Sequence, residues 1–331
     1  MSKLTSICYI IPYFGKLPAG FRMWLLSCAA NKTVDWILFT DDKTNYDYPQ
    51  NVKVKYCSYE DIKSRIQSCY DFTITISRPW KLCDFKPAYG EIFADELKGY
   101  DFWGHCDMDL IWGDIRNFIT EDVLAQYDKI GFQGHSTLYR NTPEVNSRYR
   151  NHSERIIDYK EVFTSPDGCF FDEVVMTDLY KSLRIPQYTK TNFAHLDRFT
   201  TSFYLLYLPE KDGYKNNRQV FTWENGKIIR NYLDRGEIKK EEFMYLHLFS
   251  RPISFKAKVY RNNAVYVIYP DVVKDIAKER ITPRFINKHG TCNILKFYLK
   301  VALLNRKKIT LKKVIFNLKK KAELAANRGF N

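Results

Sequence analysis

The first hundred residues alternate between apolar runs with strand-like spacing and segments with helix-like spacing. Short apolar runs that stop at Pro, Gly or Asp are typical of buried strands, whereas apolar residues three or four positions apart predict helices. The predicted strands are Ser6–Ile11, Val34–Thr40, Val52–Tyr56 and Tyr100–Cys106. The predicted helices are Phe21–Ala30, Tyr59–Tyr70 and Trp80–Leu97, the last of which Pro87 should kink or restart. This alternation favours an α/β fold with a mostly parallel sheet and helices on both faces.

The middle of the chain has a more mixed pattern. A helix is predicted over Phe170–Leu183, after a turn formed by Ser165-Pro166-Asp167-Gly168. The dipeptide Asn225-Gly226 between two apolar runs predicts a β-hairpin. The further predicted strands are Lys129–Gln133, Ser136–Arg140, Val220–Trp223, Lys227–Asn231, Phe243–Phe249 and Ala264–Tyr269.

The C-terminal segment is strongly basic. Residues 291–331 contain eleven Lys and Arg and one acid, Glu323, in a chain whose formal net charge is +14. Asn293–Leu304 and Ile309–Ala326 are predicted helices, the second with lysines opposite its apolar face. We therefore predict a body, residues 1–285, with halves of about 1–133 and 134–285, and a basic helical tail, residues 286–331. Such a tail is typical of a membrane-surface element, and the alternative is a helical pair packed on the body with solvated lysines.

Composition narrows the class of protein. Hydrophobic residues make up 45% and charged residues 27% of the 331 residues, so the chain can bury a core and is not disordered. The eight cysteines include no CxxC pair, and the N-terminal pattern is not that of a signal peptide. No apolar stretch approaches the roughly 18 residues of a membrane span. These features predict a cytoplasmic protein with reduced thiols.

Two acids, Asp107 and Asp109, directly follow the apolar run that ends at Cys106. On an extended backbone, residues i and i+2 point to the same side, so both carboxylates can converge on one hard cation such as Mg²⁺ or Mn²⁺. The chain has no GxGxxG and no GxxxxGK loop, so a nucleotide-binding protein of this kind needs another device for phosphate, and a metal held by two Asp is one. The alternative is that the pair forms an ordinary turn or helix cap.

Five segments of the chain resemble glycosyltransferases of the GT-A fold, in particular a bacterial branch found among polysaccharide-synthesis genes. They are Ile10–Gly15 (IIPYFG), Phe39–Asp42 (FTDD), Lys81–Pro87 (KLCDFKP), Gly99–Asp109 (GYDFWGHCDMD) and Tyr245–His247 (YLH). The strand followed by the acid pair, the DxD motif of that fold, is the most specific of them. The likeness spans roughly residues 5–250. It implies a GT-A-like, Rossmann-like domain over residues 1–285, with a nucleotide-sugar half followed by an acceptor half.

The resemblance also implies which residues bind the donor, expected to be a UDP-sugar. The loop after the first strand would hold the base and ribose, and the helix before the DxD strand would contact the donor sugar and the phosphates. Each segment has a structural alternative: a strand-to-helix turn, a helix cap or a surface ion pair. The implied donor-binding residues are Pro12, Tyr13, Phe14, Asp41, Asp42, Lys81, Asp84, Lys86 and Asp107.

The resemblance further implies a third metal ligand and a general base. His247 would join Asp107 and Asp109 around Mn²⁺ or Mg²⁺, and a neutral imidazole suits Mn²⁺ better. The alternative is a satisfied core histidine. Asp172 or Glu173 would deprotonate the acceptor hydroxyl, and the alternative is that these acids stabilise the positive end of their helix.

The sequence thus predicts a metal-dependent glycosyltransferase that moves a sugar from a nucleotide-diphosphate sugar to a hydroxyl of a surface-glycan acceptor, such as a capsule or an O-antigen. Residues 291–331 would hold the protein at the inner face of the membrane, where lipid-linked acceptors are built. Inversion and retention of the anomeric centre both stay open. The alternatives are another metal-dependent nucleotide enzyme, such as a nucleotidyltransferase or a phosphohydrolase, and then a nucleic-acid-binding protein. The last is disfavoured because the positive charge lies mostly in the tail.

Overall fold

The structure, a computed structural model, describes residues 3–154, 156–207, 217–257, 260–261, 263–276 and 281–304. The strands are β1 Ile7–Pro12, β2 Val34–Thr40, β3 Val52–Tyr56, β4 Phe102–Cys106, β5 Leu110–Trp112, β6 Lys129–Gln133, β7 Ser136–Arg140, β8 Phe193–Leu196, β9 Leu205–Leu206, β10 Gln219–Glu224, β11 Lys227–Asp234, β12 Glu237–Phe243, β13 Tyr245–His247, β14 Ser254–Phe255, β15 Val265–Ile268 and β16 Val272–Ile276. The α-helices are α1 Phe21–Ala30, α2 Tyr59–Gln67, α3 Tyr89–Ile92, α4 Ala94–Leu97, α5 Ile115–Phe118, α6 Glu121–Gln126, α7 Pro143–Ser147, α8 Tyr159–Thr164, α9 Met176–Ser182, α10 Pro283–His289 and α11 Ile294–Leu304. The described residues also include two 3₁₀ segments, Pro79–Ala88 and Arg148–Arg150, and one π-helical segment, Phe171–Val175.

The main sheet has the strand order β3-β2-β1-β4-β7-β6. The first four strands in this order are parallel, β7 pairs antiparallel with β4, and β6 pairs antiparallel with β7. From β1 the chain leads to β2 on one side, whereas β4 pairs on the other side, so the strand order reverses between β1 and β4. In open α/β sheets, ligands bind in the crevice at the carboxyl ends of the strands at such a point. The ends of β1 and β4 lead into Tyr13-Phe14 and Asp107-Met108-Asp109, respectively.

The alternation along β1 assigns its side chains to two cores. Cys8 and Ile10 pack in one cluster, with α2 and the segment 79–97, whereas Ile7, Tyr9 and Ile11 pack in the other, with α1. Successive side chains of a strand point to opposite faces, so helices cover both faces of the sheet, as the pattern predicts. The mixed α/β architecture is therefore confirmed for this half of the chain.

Residues Trp80–Leu97 do not form the one long α-helix that the sequence predicts. The segment consists of a 3₁₀ stretch, Pro79–Ala88, followed by the short helices α3 and α4. Pro87 lacks a backbone N–H and so cannot continue an α-helical hydrogen-bond ladder, which accounts for a break at this point. The restart that Pro87 predicts is thus present, but the first half is wound more tightly than an α-helix.

Two further sheets go beyond the predicted single sheet. One has the order β12-β11-β10-β15-β16-β14 and is largely antiparallel, and the other has the order β5-β13-β8-β9. The hairpin at Asn225-Gly226 is confirmed, with β11 extended to Asp234. Strand β12 was not predicted because its sequence, EIKKEEF, reads as a charged loop. It lies at the edge of its sheet, where charged side chains discourage pairing with other chains.

The first tail helix, α11, packs on the body. Phe297 and Val301 are buried, and Lys300 Nζ donates to Ser254 Oγ at 3.0 Å. The second predicted tail helix, Ile309–Ala326, lies outside the described residues. Among the helices that the structure describes, none has the length and apolarity needed to cross a membrane.

Lys129 of β6 is a buried lysine that bonds to the carbonyl of Gly131 (2.8 Å), Gln187 (3.0 Å) and Thr177 (3.4 Å). Burial lowers the pKa of Lys129 to about 7. An unfolded lysine keeps its proton up to about pH 10.4. The unfolded state therefore binds more protons between these two values, and the free energy of unfolding rises with pH there.

We expect Lys129→Met to abolish this dependence. In urea denaturation at pH 7 to 9, the free energy of unfolding of the wild type should gain up to about 1.4 kcal/mol per pH unit relative to the variant. Parallel curves for the two proteins would contradict a low pKa for Lys129.

Candidate functional site

A cavity of about 1020 Å³ opens at the carboxyl ends of β1 and β4. Its walls come from the loop after β1, the 3₁₀ stretch Pro79–Ala88, the segment after β4, and the chain around β8 and β13. The location is the crevice that the strand order of the main sheet predicts. Most of the predicted site residues line it, namely Pro12, Tyr13, Phe14, Asp84, Lys86, Asp107, Asp109, Asp172, Glu173 and His247.

Asp107, Asp109 and His247 converge on one point of this cavity, where one ligand atom from each lies within 4.8 Å of the others. His247 Nε2 is 3.3 Å from Asp109 Oδ1 and 3.9 Å from Asp107 Oδ2. Strand pairing produces this arrangement, because β5 begins directly after Asp109 and pairs antiparallel with β13, with Leu110 opposite His247. The backbone N–H of Ser250 donates to Asp109 Oδ2 at 2.6 Å and orients that carboxylate.

Lys86 lies between two carboxylates of the site. Its Nζ is 2.8 Å from Asp107 Oδ1 and 3.0 Å from Asp172 Oδ2, and it also donates to the carbonyl of Gly134 at 2.7 Å. Burial lowers the pKa of Lys86, but Asp107 and Asp172 more than offset this and hold the pKa well above its ordinary value. The ammonium is therefore charged and balances part of the negative charge of the site. A Cβ on Gly134 would lie 2.3 Å from Asp172 Oδ2, so this approach requires glycine.

Asp172 and Glu173 lie in the first turn of the helical segment that begins at Phe171 and continues into α9. Burial raises the pKa of Asp172, although Lys86 opposes this shift, and burial together with the charge of Asp172 raises the pKa of Glu173. Asp172 is held by Lys86 and is almost fully buried, whereas Glu173 is partly exposed. Of the two acids, Glu173 is thus the one more accessible to a substrate in the cavity.

Three histidines form a cluster behind the acid pair: His135, His195 and His247. His195 Nδ1 is 3.3 Å from His135 Nε2 and 3.2 Å from His247 Nδ1. Burial and the neighbouring His247 lower the pKa of His195 to about 3, and burial holds that of His135 well below its ordinary value, so both rings are neutral. His135 Nδ1 also bonds to the hydroxyl of Tyr245 at 2.9 Å.

His195 is a residue of the site that the sequence did not predict. Its strand reads FAHL, an apolar run with one histidine, just as the strand of His247 reads YLH. The two strands pair in parallel with His195 opposite His247, and this register alone brings the two rings together. A histidine in each of two short apolar strands is the only signal that the sequence offers.

Asp41 and Asp42 shape the loop after β1 and do not line the cavity. Asp41 Oδ1 accepts from the backbone N–H of Gly15 at 2.7 Å, and Asp42 Oδ2 accepts from that of Leu17 at 2.9 Å. Asp42 also accepts from Thr44 Oγ1. These contacts are those of turn residues, and the donor-binding role that the resemblance implies for Asp41 and Asp42 stays an untested prediction.

Lys81 and Asp84 form a buried ion pair at 2.8 Å, not a surface one. Lys81 Nζ also donates to the carbonyls of Val162 and Asp167, so its three protons are all used. Asp84 accepts from the backbone N–H groups of Cys169 and Phe171 as well. The predicted phosphate contact of Lys81 thus lacks a free donor, and the pair instead fixes the loop that leads to Asp172.

Comparison with known proteins identifies a family but not an activity. A family model described as "Family of unknown function (DUF6625)" matches residues 9–277. No curated protein matches the chain.

Among solved structures, the apo form of the glycosyltransferase GlyE from Streptococcus pneumoniae TIGR4 matches with 14% identity and a TM-score of 0.33. This match covers 57% of the present chain and 46% of GlyE, so less than half of GlyE is spanned. Mouse xyloside xylosyltransferase 1 in its apo form matches with 9% identity and a TM-score of 0.34, over 58% of this chain and 88% of that one. Likeness at this level does not establish an activity for this chain.

Proposed function

We propose a function for this chain, which belongs to the family of unknown function DUF6625: it is a metal-dependent glycosyltransferase that uses a nucleotide-diphosphate sugar, with UDP as the expected nucleotide. The observation that carries the proposal is the convergence of Asp107, Asp109 and His247 in a cavity at the switch point of the main sheet. Two carboxylates separated by a single residue and directed into a crevice of this kind provide a way to hold a diphosphate, through a metal ion, without a glycine-rich loop.

The donor set fits Mn²⁺, and to a lesser extent Mg²⁺. Asp107 Oδ2, Asp109 Oδ1 and His247 Nε2 would be the three ligand atoms, because Lys86 and the backbone N–H of Ser250 occupy the other oxygen of each aspartate. Carboxylates suit both ions, whereas an imidazole nitrogen favours Mn²⁺. When bound, the ion supplies charge neutralisation for the departing nucleoside diphosphate.

The other residues of the cavity have complementary roles. Pro12, Tyr13 and Phe14 at the end of β1 form the wall for the base and ribose. Lys86 balances the charge of Asp107 and opposes the rise in the pKa of Asp172 that burial causes. Glu173 accepts the proton of the attacking acceptor hydroxyl, because burial raises its pKa towards the range in which a carboxylate is an effective base. A base placed in this way is consistent with inversion at the anomeric carbon.

The test is a thermal-shift screen of the full chain against nucleotide-sugars, with and without Mn²⁺. A UDP-sugar should raise the melting temperature only when Mn²⁺ is present, because one site binds both ligands and binding stabilises the folded state. A nucleoside triphosphate that is hydrolysed without sugar transfer would instead favour a phosphohydrolase. If no nucleotide-sugar stabilises the protein with either Mn²⁺ or Mg²⁺, the proposal is wrong.

His195 is a positioning residue for the metal ligand. If His247 Nε2 binds the ion, its proton lies on Nδ1 and is donated to His195 Nδ1, 3.2 Å away. We expect His195→Leu to weaken Mn²⁺ binding by about 10- to 100-fold. His195→Asn should retain most of the affinity, because the amide oxygen takes the place of Nδ1 as acceptor. Calorimetric titration with Mn²⁺ distinguishes the variants, and equal affinities for the Leu and Asn variants would rule out this role.

The C-terminal tail, including α11, has features that favour contact with an anionic membrane surface. Helix α11 buries Phe297 and Val301 against the body but leaves Leu295 and Leu299, one turn apart, 77% and 63% exposed. The nine Lys and Arg of residues 305–331 follow this apolar stripe in the sequence. Apolar side chains next to basic ones are the pattern of helices that lie in the membrane interface.

Deleting residues 305–331 should weaken binding to anionic liposomes by at least about tenfold, since each basic residue near the surface adds about 1 kcal/mol. This deletion retains α11, whose removal would uncover the core. Leu295→Ser combined with Leu299→Ser should weaken binding further, and uncharged liposomes serve as the control. Unchanged binding by both variants would assign the tail to another role.

A further inference from the structure

We propose that four exposed aromatic residues at the cavity mouth, Trp80, Phe170, Tyr207 and Phe249, form a platform for the sugar rings of an oligosaccharide acceptor. This inference rests on the proposed glycosyltransferase function and specifies the substrate class of its acceptor side. We call these four residues the aromatic rim.

The rim residues expose apolar surface at the cavity. Trp80 is 48% exposed, Phe170 61%, Tyr207 49% and Phe249 37%, and all four line the cavity. Exposed aromatic side chains at one cavity mark a binding surface, because folding alone would favour their burial. Flat aromatic faces also match the apolar C–H faces of sugar rings.

Three of the rim residues also have a strained backbone. Phe170 (φ 54°), Tyr207 (φ 64°) and Phe249 (φ 51°) have left-handed backbone conformations. This region is unfavourable for bulky residues, and such strain clusters at ligand sites. The left-handed backbone at each of these positions favours glycine, and the exposure of each side chain to solvent favours a polar residue. An aromatic ring held here against both preferences indicates that the ring has a function.

Unpartnered donors lie among the rings. His195 Nε2 and Arg198 Nε are both buried without a hydrogen-bond partner among the described residues, and both residues line the cavity. The His195 ring is 4.7 Å from that of Phe249 and 5.2 Å from that of Tyr207, and the Arg198 guanidinium is 5.2 Å from the Phe249 ring. A buried polar group without a partner is costly, so a ligand oxygen is the expected partner.

Exposed aromatic rings next to unpartnered hydrogen-bond donors favour a carbohydrate over other ligands. A lipid chain has no acceptor for His195 Nε2 and Arg198 Nε, whereas a carbohydrate carries hydroxyl oxygens that can accept from such donors. The nucleotide part of the donor has its own wall at Pro12, Tyr13 and Phe14. Phe170 also lies two and three residues before Asp172 and Glu173, so a ring stacked on it is close to the proposed base. The rim therefore belongs to the acceptor side.

The test uses glycine variants, which remove the ring and relieve the backbone strain together. Phe170→Gly and Tyr207→Gly should lower binding to immobilised oligosaccharides of two to four rings by about tenfold each, while the melting temperature stays the same or rises. Phe170→Tyr should retain binding. Arg235→Gly is the matched control, because Arg235 has the same left-handed backbone (φ 49°) in a turn that does not line the cavity.

The probes are an array of defined oligosaccharides and, separately, a thermal shift with UDP-sugars and Mn²⁺. Loss of oligosaccharide binding with an unchanged UDP-sugar shift supports the rim. The proposed role of the aromatic rim is wrong if oligosaccharides still bind to both glycine variants. It is also wrong if the wild type binds no oligosaccharide on the array although it shows the UDP-sugar shift. A large fall in melting temperature would assign the rings to stability and also overturn the rim. If no nucleotide-sugar shifts the melting temperature of the wild type with either Mn²⁺ or Mg²⁺, the proposed function itself is contradicted.

Discussion

Asp109→Asn should abolish Mn²⁺-dependent donor binding and lower sugar transfer by about three orders of magnitude, the scale on which removal of one preorganised electrostatic group acts. The structure gives the reason. The backbone N–H of Ser250 needs an acceptor at 2.6 Å, and in the Asn variant only the amide oxygen can accept. The amide NH₂ would then face His247 Nε2, where Asp109 Oδ1 lies at 3.3 Å. An NH₂ group does not bind a cation, so the variant keeps its shape and loses a ligand.

Asp114→Asn is the matched control for this experiment. Asp114 caps α5 by accepting from the backbone N–H of Asn117, and Asn is an equally good cap. We expect its donor binding and transfer rate to equal those of the wild type. Binding is measured by calorimetry with UDP at several Mn²⁺ concentrations, and transfer by product formation from the UDP-sugar found in the screen. An Asp109→Asn protein that still binds UDP in an Mn²⁺-dependent manner would remove the basis of the proposed function.

Lys86→Met should lower the free energy of unfolding by about 3–5 kcal/mol in metal-free buffer, as expected when one partner of a buried ion pair is removed. Lys86 contacts both Asp107 and Asp172, so its loss leaves two carboxylates without their cation. Burial already raises the pKa of Asp172, and loss of Lys86 raises it further. A raised carboxyl pKa favours the folded state at low pH, so the stability deficit should shrink as the pH falls from 8 to 5.

Asp172→Asn in the Lys86→Met background should restore part of the lost stability, since it removes the most buried uncompensated charge. Lys63→Met is the control for loss of an ordinary surface pair: Lys63 pairs with Glu60 at 2.9 Å on α2, and its removal should cost less than about 1 kcal/mol. Urea denaturation of the four proteins measures these differences. If Lys86→Met and Lys63→Met cost the same, Lys86 is not the charge-balancing residue of the site.

The main sheet could be predicted from local pattern. In β1, Cys8 and Ile10 face one core and Ile7 and Tyr9 the other, and this alternation is visible in the sequence. The acid pair after β4 could also be assigned to the ligand-binding edge of the sheet, because a parallel sheet presents the carboxyl ends of its strands together. The sheet that contains β10, β11 and β12 could not be predicted in full, because the sequence of β12 has the charges of an edge strand and resembles a loop.

The site beyond the acid pair depends on contacts between distant parts of the chain. Asp172, the partner of Lys86, packs where a Cβ at position 134 would lie 2.3 Å from its Oδ2, and His195 meets His247 because β8 and β13 pair in a particular register. The same holds for the aromatic rim, whose exposed rings cannot be told from core aromatics by composition.

The sequence by itself determined which positions are buried, where the central strands end and that two carboxylates follow one of them, because these properties follow from spacing along a short stretch of backbone. Only the tertiary structure decided which lysine balances those carboxylates, which histidines surround them and which aromatic rings remain in solvent. These depend on strand order and register, which bring together residues tens of positions apart and leave no local periodicity in the chain.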